Sequence, residues 1–386
     1  MKPNDDLLNN WLKVNSKYIV SARDLSGIEI SNIDLPGSYS LQKEFFTGPL
    51  KDIMYSWIER RTDTSITPSL SGEFISSGTQ LIRLKNAIVN CNLNDIGINH
   101  EGRLILLDSS HHDFKCYSWI LARNNIDYVG QYLSNMYQQS QSNKIVSRQP
   151  AFIINTRWSA HNFYHWFHEA MPRLVRLALS GFDFNQYYLV WAGNIPPHSY
   201  HIKSLSSLGI SLGELHHHSG FCMFSNLLHA TFVHRGSFHP KQVSLMKNWF
   251  QKYLPEDRSD AKLKVVLVRP KNKARSFIDN DSIKVLVEEH GFQAYEFDNL
   301  RLSHQINLVQ SSSVIIGAHG AGLTHVINMK PGSRLIEVMP SNSIHPLYWY
   351  LASQCKVKYS MLVCKVNNHK QQMALQLNSV LDHLYY

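Results

Sequence analysis

The segment 312–327, SSVIIGAHGAGLTHVI, constrains the fold more than any other stretch of the chain. Val314, Ile315 and Ile316 form a short apolar, β-branched run of the kind that makes a buried strand, and Gly317, Gly320 and Gly322 follow at once. A strand that breaks into a glycine turn and opens a helix offers unpaired N–H groups and the positive end of a helix dipole, which suits a phosphate. The glycines run G-x-x-G-x-G with His319 inside the turn. That order is neither the dinucleotide fingerprint nor a P-loop, so hydride transfer and ATP hydrolysis are not indicated. An ordinary strand-to-helix turn has the same outline, and the neighbouring residues must decide.

Those neighbours alternate between strand and helix patterns. A first series starts with a strand at 151–155, followed by an amphipathic helix from about His161 to Ser180. It continues through strands at 188–191 and about 228–233, with helices near 202–208 and about 240–254. A polar stretch at 255–261 reads as a linker. A second series then runs from the strand 263–268 through the glycine turn to a strand at 334–338 and a last helix from about His369. Two such series predict an α/β protein with two Rossmann-like domains facing a cleft. The expected boundaries are an extension over 1–80, a first domain over 81–255, a second over 256–366, and a C-terminal helix over 367–386 that packs back on the first domain. Within 81–108, short alternating strands predict a small antiparallel sheet beside the first α/β series.

In the first series the helix reads HNFYHWFHEAMPRL from His161. His161, His165 and Glu169 recur every four residues and share one helix face, while Phe163, Trp166, Phe167, Met171 and Leu174 fill much of the rest. A histidine and a glutamate one turn apart make a general-base arrangement, with either side chain as the base. They equally describe a buried polar pair that holds the helix to its sheet. A zinc site fits less well, because the glutamate falls outside an H-E-x-x-H and no third ligand is apparent. The run His216-His217-His218 reads as a solvated turn. In the second series, Arg269, Lys271, Lys273 and Arg275 lie just past the strand 263–268, on the rim where the glycine turn also falls. Cations on that rim favour phosphate, and Glu337, at the end of the next strand, is placed to accept from ribose hydroxyls.

Composition narrows the class. The chain has 386 residues, 44% of them hydrophobic, with a formal net charge of +9, so it has material for two domains and favours anionic partners. The cations are scattered without a basic run, which argues against a nucleic-acid stripe. Five cysteines without a C-x-x-C pair indicate neither a disulfide framework nor a cysteine zinc site. No apolar signal core opens the sequence, and no apolar run approaches the roughly 20 residues that span a bilayer. A cytoplasmic protein is expected, in peripheral contact with the anionic inner face of a membrane.

Taken together, N162-F-Y-H-W-F-H-E169 with Pro172, Arg173 and Leu174, then Arg269, Arg275 and Asn280, then 302–306 (LSHQI), 316–323 (IGAHGAGL) and 331–337 (PGSRLIE), resemble glycosyltransferase family 61. That group includes plant β-1,2-xylosyltransferases, animal O-linked N-acetylglucosaminyltransferases and bacterial proteins of capsular polysaccharide synthesis. The resemblance spans about 81–340 and implies a GT-B fold and an inverting transfer, without metal or other cofactor, from a nucleotide sugar such as a UDP-sugar to a glycan or lipid-linked glycan. It implies a donor site of Arg269, Arg275, Asn280, Gly317, His319, Gly320, Ala321, Gly322, Leu323 and Glu337. Glu169 and His165 are then the catalytic candidates, with His161, Asn162 and Arg173 on the acceptor side. A non-catalytic nucleotide-sugar or glycan-binding module and a metal-dependent hydrolase are the competing expectations. Oligomeric state is left open.

Overall fold

The computed structural model describes residues 79–91, 145–156, 158–230, 240–252, 262–278, 280–344, 347–366 and 368–385. It also describes the strand segments 19–20, 29–32, 37–40, 73–76, 97–100 and 103–105 and short helical pieces at 134–135 and 137–139. The chain forms two compact units, one of 1–37 with 75–235 and one of 38–74 with 236–386.

The first unit is built on a nine-stranded mixed sheet. Its strands are β1 (Ile19–Val20), β2 (Glu29–Asn32), β5 (Gln80–Asn90), β6 (Gly97–His100), β7 (Arg103–Ile105), β8 (Ala151–Ile153), β9 (Tyr188–Ala192), β10 (Leu215–His218) and β11 (Phe221–Ala230). The spatial order is β1-β7-β6-β5-β11-β8-β9-β10, with β2 also on β5. Strands β11, β8, β9 and β10 run parallel, and β5 pairs antiparallel with β11 from Leu81↔Ala230 to Asn90↔Phe221. The antiparallel strands expected as a separate small sheet are therefore continuous with the parallel ones. A shared core of Ile82, Leu84, Val89, Ile153, Val190, Phe224 and Leu227 requires that continuity. The segment 1–80 also contributes, since β1 and β2 hydrogen-bond into this sheet. A separate two-stranded pair joins β3 (Gly37–Ser40) and β4 (Glu73–Ser76). The triple histidine is not a turn: it lies in β10, paired with Val190, Trp191 and Ala192 of β9.

The second unit has a wholly parallel sheet of β12 (Leu263–Leu267), β13 (Phe292–Tyr295), β14 (Ser312–Ala318), β15 (Arg334–Pro340) and β16 (Lys358–Cys364), in the order β13-β12-β14-β15-β16. This is a doubly wound 2-1-3-4-5 order, and its topological switch point lies between β12 and β14. Ligands of such sheets bind at the carboxyl ends of the strands flanking that point. Buried runs in β14 and β15 fit a sheet covered on both faces.

Two helices differ from expectation. The helix Pro240–Gln251, expected in the first domain, belongs to the second unit. Its buried Val243, Met246, Trp249 and Phe250 pack toward the segment 321–328, with Phe250 and His325 rings 6.0 Å apart. The C-terminal helix begins at Leu377, later than expected, and packs on β16 of its own unit, where His383 Nε2 meets the Met361 carbonyl at 3.1 Å. The expected linker, 255–261, lies outside the described residues.

Candidate functional site

In the first unit Asn162 caps a helix, its Oδ1 accepting from the N–H groups of Tyr164 (3.0 Å) and His165 (3.4 Å). The helix is not regular. One α-turn, Phe163–His165, passes into a π-helical turn, Trp166–Ala170, before α-helix resumes over Met171–Leu179. Pro172 is the physical cause: it has no N–H, and its ring would press on the carbonyl four residues earlier, so the ladder widens to five-residue spacing, with Met171 N–H donating to Trp166 O. Such π-turns recur at functional sites. Within this one lies Glu169, 3% exposed, with Oε2 2.9 Å from His165 Nδ1. That contact is close without hydrogen-bond alignment.

His165 stands between Trp158 and Tyr164, with ring centroids 5.0 and 5.2 Å away. Trp158 has φ +62°, a conformation a bulky side chain rarely adopts, and its carbonyl accepts from the N–H groups of His161 and Asn162 at the helix entry. His161 is exposed, and desolvation and its neighbours His165 and His198 push its pKa down. Arg173, expected on the acceptor side, lies instead inside the unit, 1% exposed. Its guanidinium donates to the carbonyls of Ile153 (2.8 Å), Ile154 (2.6 Å) and Ala230 (3.0 Å), tying together the ends of β8 and β11. Burial lowers its pKa to about 9.

In the second unit Arg269 and Arg275 follow β12 and face the segment after β14. A Cβ on Gly320 would fall 2.8 Å from Arg269 Nη1, so only glycine lets the guanidinium approach. Gly320 itself is extended, with φ 171°, and none of the three glycines lies in the left-handed region. Gly317 sits within β14 against Leu323 and Leu267, and Gly322 faces Phe297. The glycines therefore permit close approach more than a tight turn. From Ala321 the helix is a 3₁₀ segment, Ala321–Asn328, which includes Gly322.

Arg269 Nη1 and Arg275 Nε are buried without hydrogen-bond partners. Desolvation first, then the other guanidinium, lowers the Arg269 pKa, and desolvation does the same for Arg275. Asp298 acts electrostatically on Arg269 and Glu337 on Arg275, without an ion pair to either among the described residues, and two such desolvated cations held together are expensive unless an anion joins them. Arg275 carries φ +61°, and its N–H donates to Lys370 O. The segment 368–373 braces this loop further, Gln372 Nε2 donating to Ser276 Oγ and to the Lys271 carbonyl. Lys271 and Lys273, expected to join the cluster, are exposed. Asn280 is the first residue of its helix, Asn280–His290, and its side chain lies outside the described residues.

Glu337 is 0% exposed and so does not present its carboxylate to a ribose. Its Oε1 lies 2.6 Å from His319 Nδ1, and its Oε2 accepts from the Tyr359 hydroxyl at 2.6 Å. Three residues that the sequence did not single out complete this region. Tyr348, buried and with its pKa raised by desolvation, interacts with Thr324, Glu337, Arg275 and Arg269. Its ring lies 5.5 Å from His319. His325 is buried, its pKa lowered to about 3 by desolvation, and its Nε2 meets Gln305 Oε1 at 2.7 Å. Gln305 Nε2 donates to the carbonyls of Phe297 and Leu300, which orients the amide. The pattern LSHQI contained this glutamine, but nothing in its spacing tells of the partner twenty residues on. Among the described residues no group of three histidine, cysteine or acidic side chains is arranged to hold a metal ion, and no helix is long and apolar enough to cross a membrane.

Comparison with known proteins adds an independent observation. The family model described as Glycosyltransferase 61 matches residues 163–336, from the start of the π-containing helix to the residue before Glu337. Beta-1,2-xylosyltransferase RCN11 of Oryza sativa subsp. japonica is 32% identical over 63 residues, 16% of this chain and 12% of its own length. Beta-1,2-xylosyltransferase of Arabidopsis thaliana is 33% identical over 61 residues, 16% and 11% of the two lengths. Alpha-1,3-arabinosyltransferase XAT3 of Oryza sativa subsp. japonica is 33% identical over 79 residues, 19% and 14%. The matches thus span about one eighth of the length of these curated relatives.

Proposed function

We propose a sugar-transfer reaction for this chain on the premise that it belongs to glycosyltransferase family 61. The donor is a nucleotide sugar, a UDP-sugar in the first instance, and the acceptor a hydroxyl of a surface or capsular glycan. The two units act as the halves of a GT-B type enzyme, the second taking the donor and the first the acceptor. The observation that carries this reading is the pair of buried, unpartnered guanidinium nitrogens of Arg269 and Arg275 at the switch point of the parallel sheet, with Gly320 held open beside them. A diphosphate supplies the missing acceptors and charge.

The reaction follows from these groups. The acceptor oxygen attacks the anomeric carbon and inverts it, while the bond from that carbon to the diphosphate oxygen breaks. The acceptor proton passes to Glu169 or to its partner His165, which are poised as one unit. Negative charge gathering on the departing nucleoside diphosphate is met by Arg269, Arg275 and the N–H groups after Gly320, which makes a metal ion unnecessary. Holding charge on fixed donors in a desolvated site is the largest contribution such a site makes. A lipid-linked acceptor and contact with the inner face of a membrane, favoured by the net charge of +9, belong to the same proposal.

The test is thermal stabilisation by UDP, GDP, ADP and CDP, with and without EDTA, together with release of nucleotide from the matching sugars. One nucleotide that stabilises the protein in EDTA and fails to do so in Arg275→Ala supports the donor site. Stabilisation without turnover on any acceptor would make the chain a binding module. No response to any nucleotide would sink the reading.

A further inference from the structure

We propose that the loop 296–300, at the carboxyl end of β13, binds the nucleoside of the donor, with the Phe297 ring against the base and the Asp298 carboxylate on the ribose hydroxyls. This rests on the diphosphate site proposed above and goes beyond it by placing the nucleoside, whose ribose the buried Glu337 does not meet.

Strand order brings this loop to the arginines. β13 borders β12 on the side away from β14, and the two pair in parallel from Lys264↔Phe292 to Leu267↔Tyr295. The ladder runs one step further, Val268 N–H donating to the Tyr295 carbonyl at 2.9 Å, so Arg269 and Phe297 leave neighbouring strands at the same level. The segment after β14 lies against both. A Cβ on Gly320 would fall 2.8 Å from Arg269 Nη1, and one on Gly322 would fall 3.4 Å from Phe297 Cδ2. Backbone positions two residues apart are separated by about 7 Å at most, so the guanidinium and the ring stand within the span of one nucleoside diphosphate. In doubly wound sheets that bind dinucleotides, an acidic side chain in the same crevice accepts from the ribose hydroxyls.

Two acidic side chains stand at this end of β13, and their surroundings separate them. Glu296 Oε2 accepts from Asn299 Nδ2 at 2.8 Å. Asp298 is exposed, and its charge acts on Arg269 without an ion pair to it. A carboxylate in that position repels a diphosphate and accepts from neutral hydroxyls, so the part of the ligand that it meets is the ribose. Phe297 is half-buried at the rim, its ring 5.3 Å from that of His325 and nearly perpendicular to it. An aromatic ring in that place suits any base, because every base has a π face. The loop is also held in shape before a ligand arrives. Gln305 Nε2 donates to the carbonyls of Phe297 and Leu300, its Oε1 meets His325 Nε2, and Leu300 N–H donates to the Phe297 carbonyl at 2.9 Å. Little ordering of the loop is then left to oppose binding.

Calorimetric titration of the full chain with inorganic pyrophosphate, with UDP, GDP, ADP and CDP, and with the 2′-deoxy form of the nucleotide that binds separates the parts of the site. The expected result is a ribonucleotide bound about 10–100-fold more tightly than pyrophosphate, and a 2′-deoxy form bound about tenfold more weakly than the ribonucleotide. Phe297→Leu is expected to raise the nucleotide Kd about tenfold while pyrophosphate binds as before. Asp298→Ala is expected to bring the ribo- and deoxyribonucleotide within about twofold of each other, with pyrophosphate bound at least as tightly as by the unaltered chain. Equal affinity for pyrophosphate and the nucleotides would overturn this inference and leave the diphosphate site standing. An undiminished preference for the ribonucleotide in Asp298→Ala would remove the role of that carboxylate, and an unchanged nucleotide Kd in Phe297→Leu would remove that of the ring. Failure of pyrophosphate and every nucleotide alike would remove the diphosphate site itself.

Discussion

Both units join a histidine to a glutamate, and they do so by opposite means. His165 and Glu169 are four residues apart on one helix, whereas His319 and Glu337 come from the ends of two strands and are completed by Tyr359 from a third. The helical pair is set by local geometry, with Asn162 fixing where the helix starts and Pro172 opening the π-turn that contains Glu169. The sheet pair is set by strand order and register, and every atom of it depends on contacts far apart in the chain. A residue of positive φ stands beside each, Trp158 next to His165 and Arg275 next to the second pair. Left-handed backbone at a non-glycine residue stores of order 1–3 kcal/mol and persists where the surrounding structure enforces it. The lesson is structural: the first pair depends on one helix turn, the second on the packing of three strands.

The largest effect expected from this difference is on catalysis. Glu169→Gln keeps the shape of the π-turn but removes the carboxylate, and kcat should fall about 10²–10⁴-fold with nucleotide affinity unchanged. An unchanged kcat would end the role of this pair as base. Arg275→Ala should instead lower kcat/KM by about 10²–10³-fold and abolish nucleotide-dependent stabilisation, because the leaving diphosphate loses a preorganised donor. If only KM moved, Arg275 would bind the ground state and the transition state alike. A milder intrusion is Gly320→Ala, whose new methyl meets Arg269 Nη1 at 2.8 Å. The guanidinium must shift, so nucleotide Kd should rise about tenfold with little change in Tm; a normal Kd would mean that the cradle tolerates Arg269 elsewhere.

Smaller effects concern stability and separate the units further. His201 in the first unit and His325 in the second are both buried, and desolvation lowers the pKa of each to about 3. A histidine depressed in the folded state binds fewer protons than the unfolded chain at any pH between about 3 and 6.5. Its contribution is therefore complete above pH 6.5 and is lost as pH falls toward 3, by about 1.4 kcal/mol per pH unit for each group. Denaturant unfolding between pH 7 and 5 should show this slope, and His201→Asn should flatten it for the first unit alone. Tyr359→Phe should be the gentlest of the set. It leaves Glu337 Oε2 without its donor and should reduce the stability of the second unit by about 1–3 kcal/mol, leaving kcat for a saturating donor near the wild-type value.

What could be read from the sequence divides along the same line as the two pairs. The helix face carrying His165 and Glu169 follows from four-residue spacing, and the strand 314–316 with its glycines follows from an apolar run and its interruption. Pro172 in the same segment is the local signal for the break in the helix between His161 and Ser180. The arginines after β12 were legible as cations on a rim. Their burial, their lack of partners and the bracing of their loop by Gln372 and Lys370 were not, because the bracing residues lie about 100 positions away in the chain.

The sequence by itself determined the two strand–helix series and the residue types at the carboxyl ends of their strands, since helix and strand periods are properties of neighbouring residues. Only the tertiary structure decided that Arg173 is a buried clasp for β8 and β11, that the helix Pro240–Gln251 belongs to the second unit, and that Glu337 turns toward His319 and Tyr359 instead of a ribose. The physical reason is the same in each case. A long polar side chain takes the partner that desolvation forces on it, and which groups are desolvated together depends on strand order and register, which no local pattern specifies.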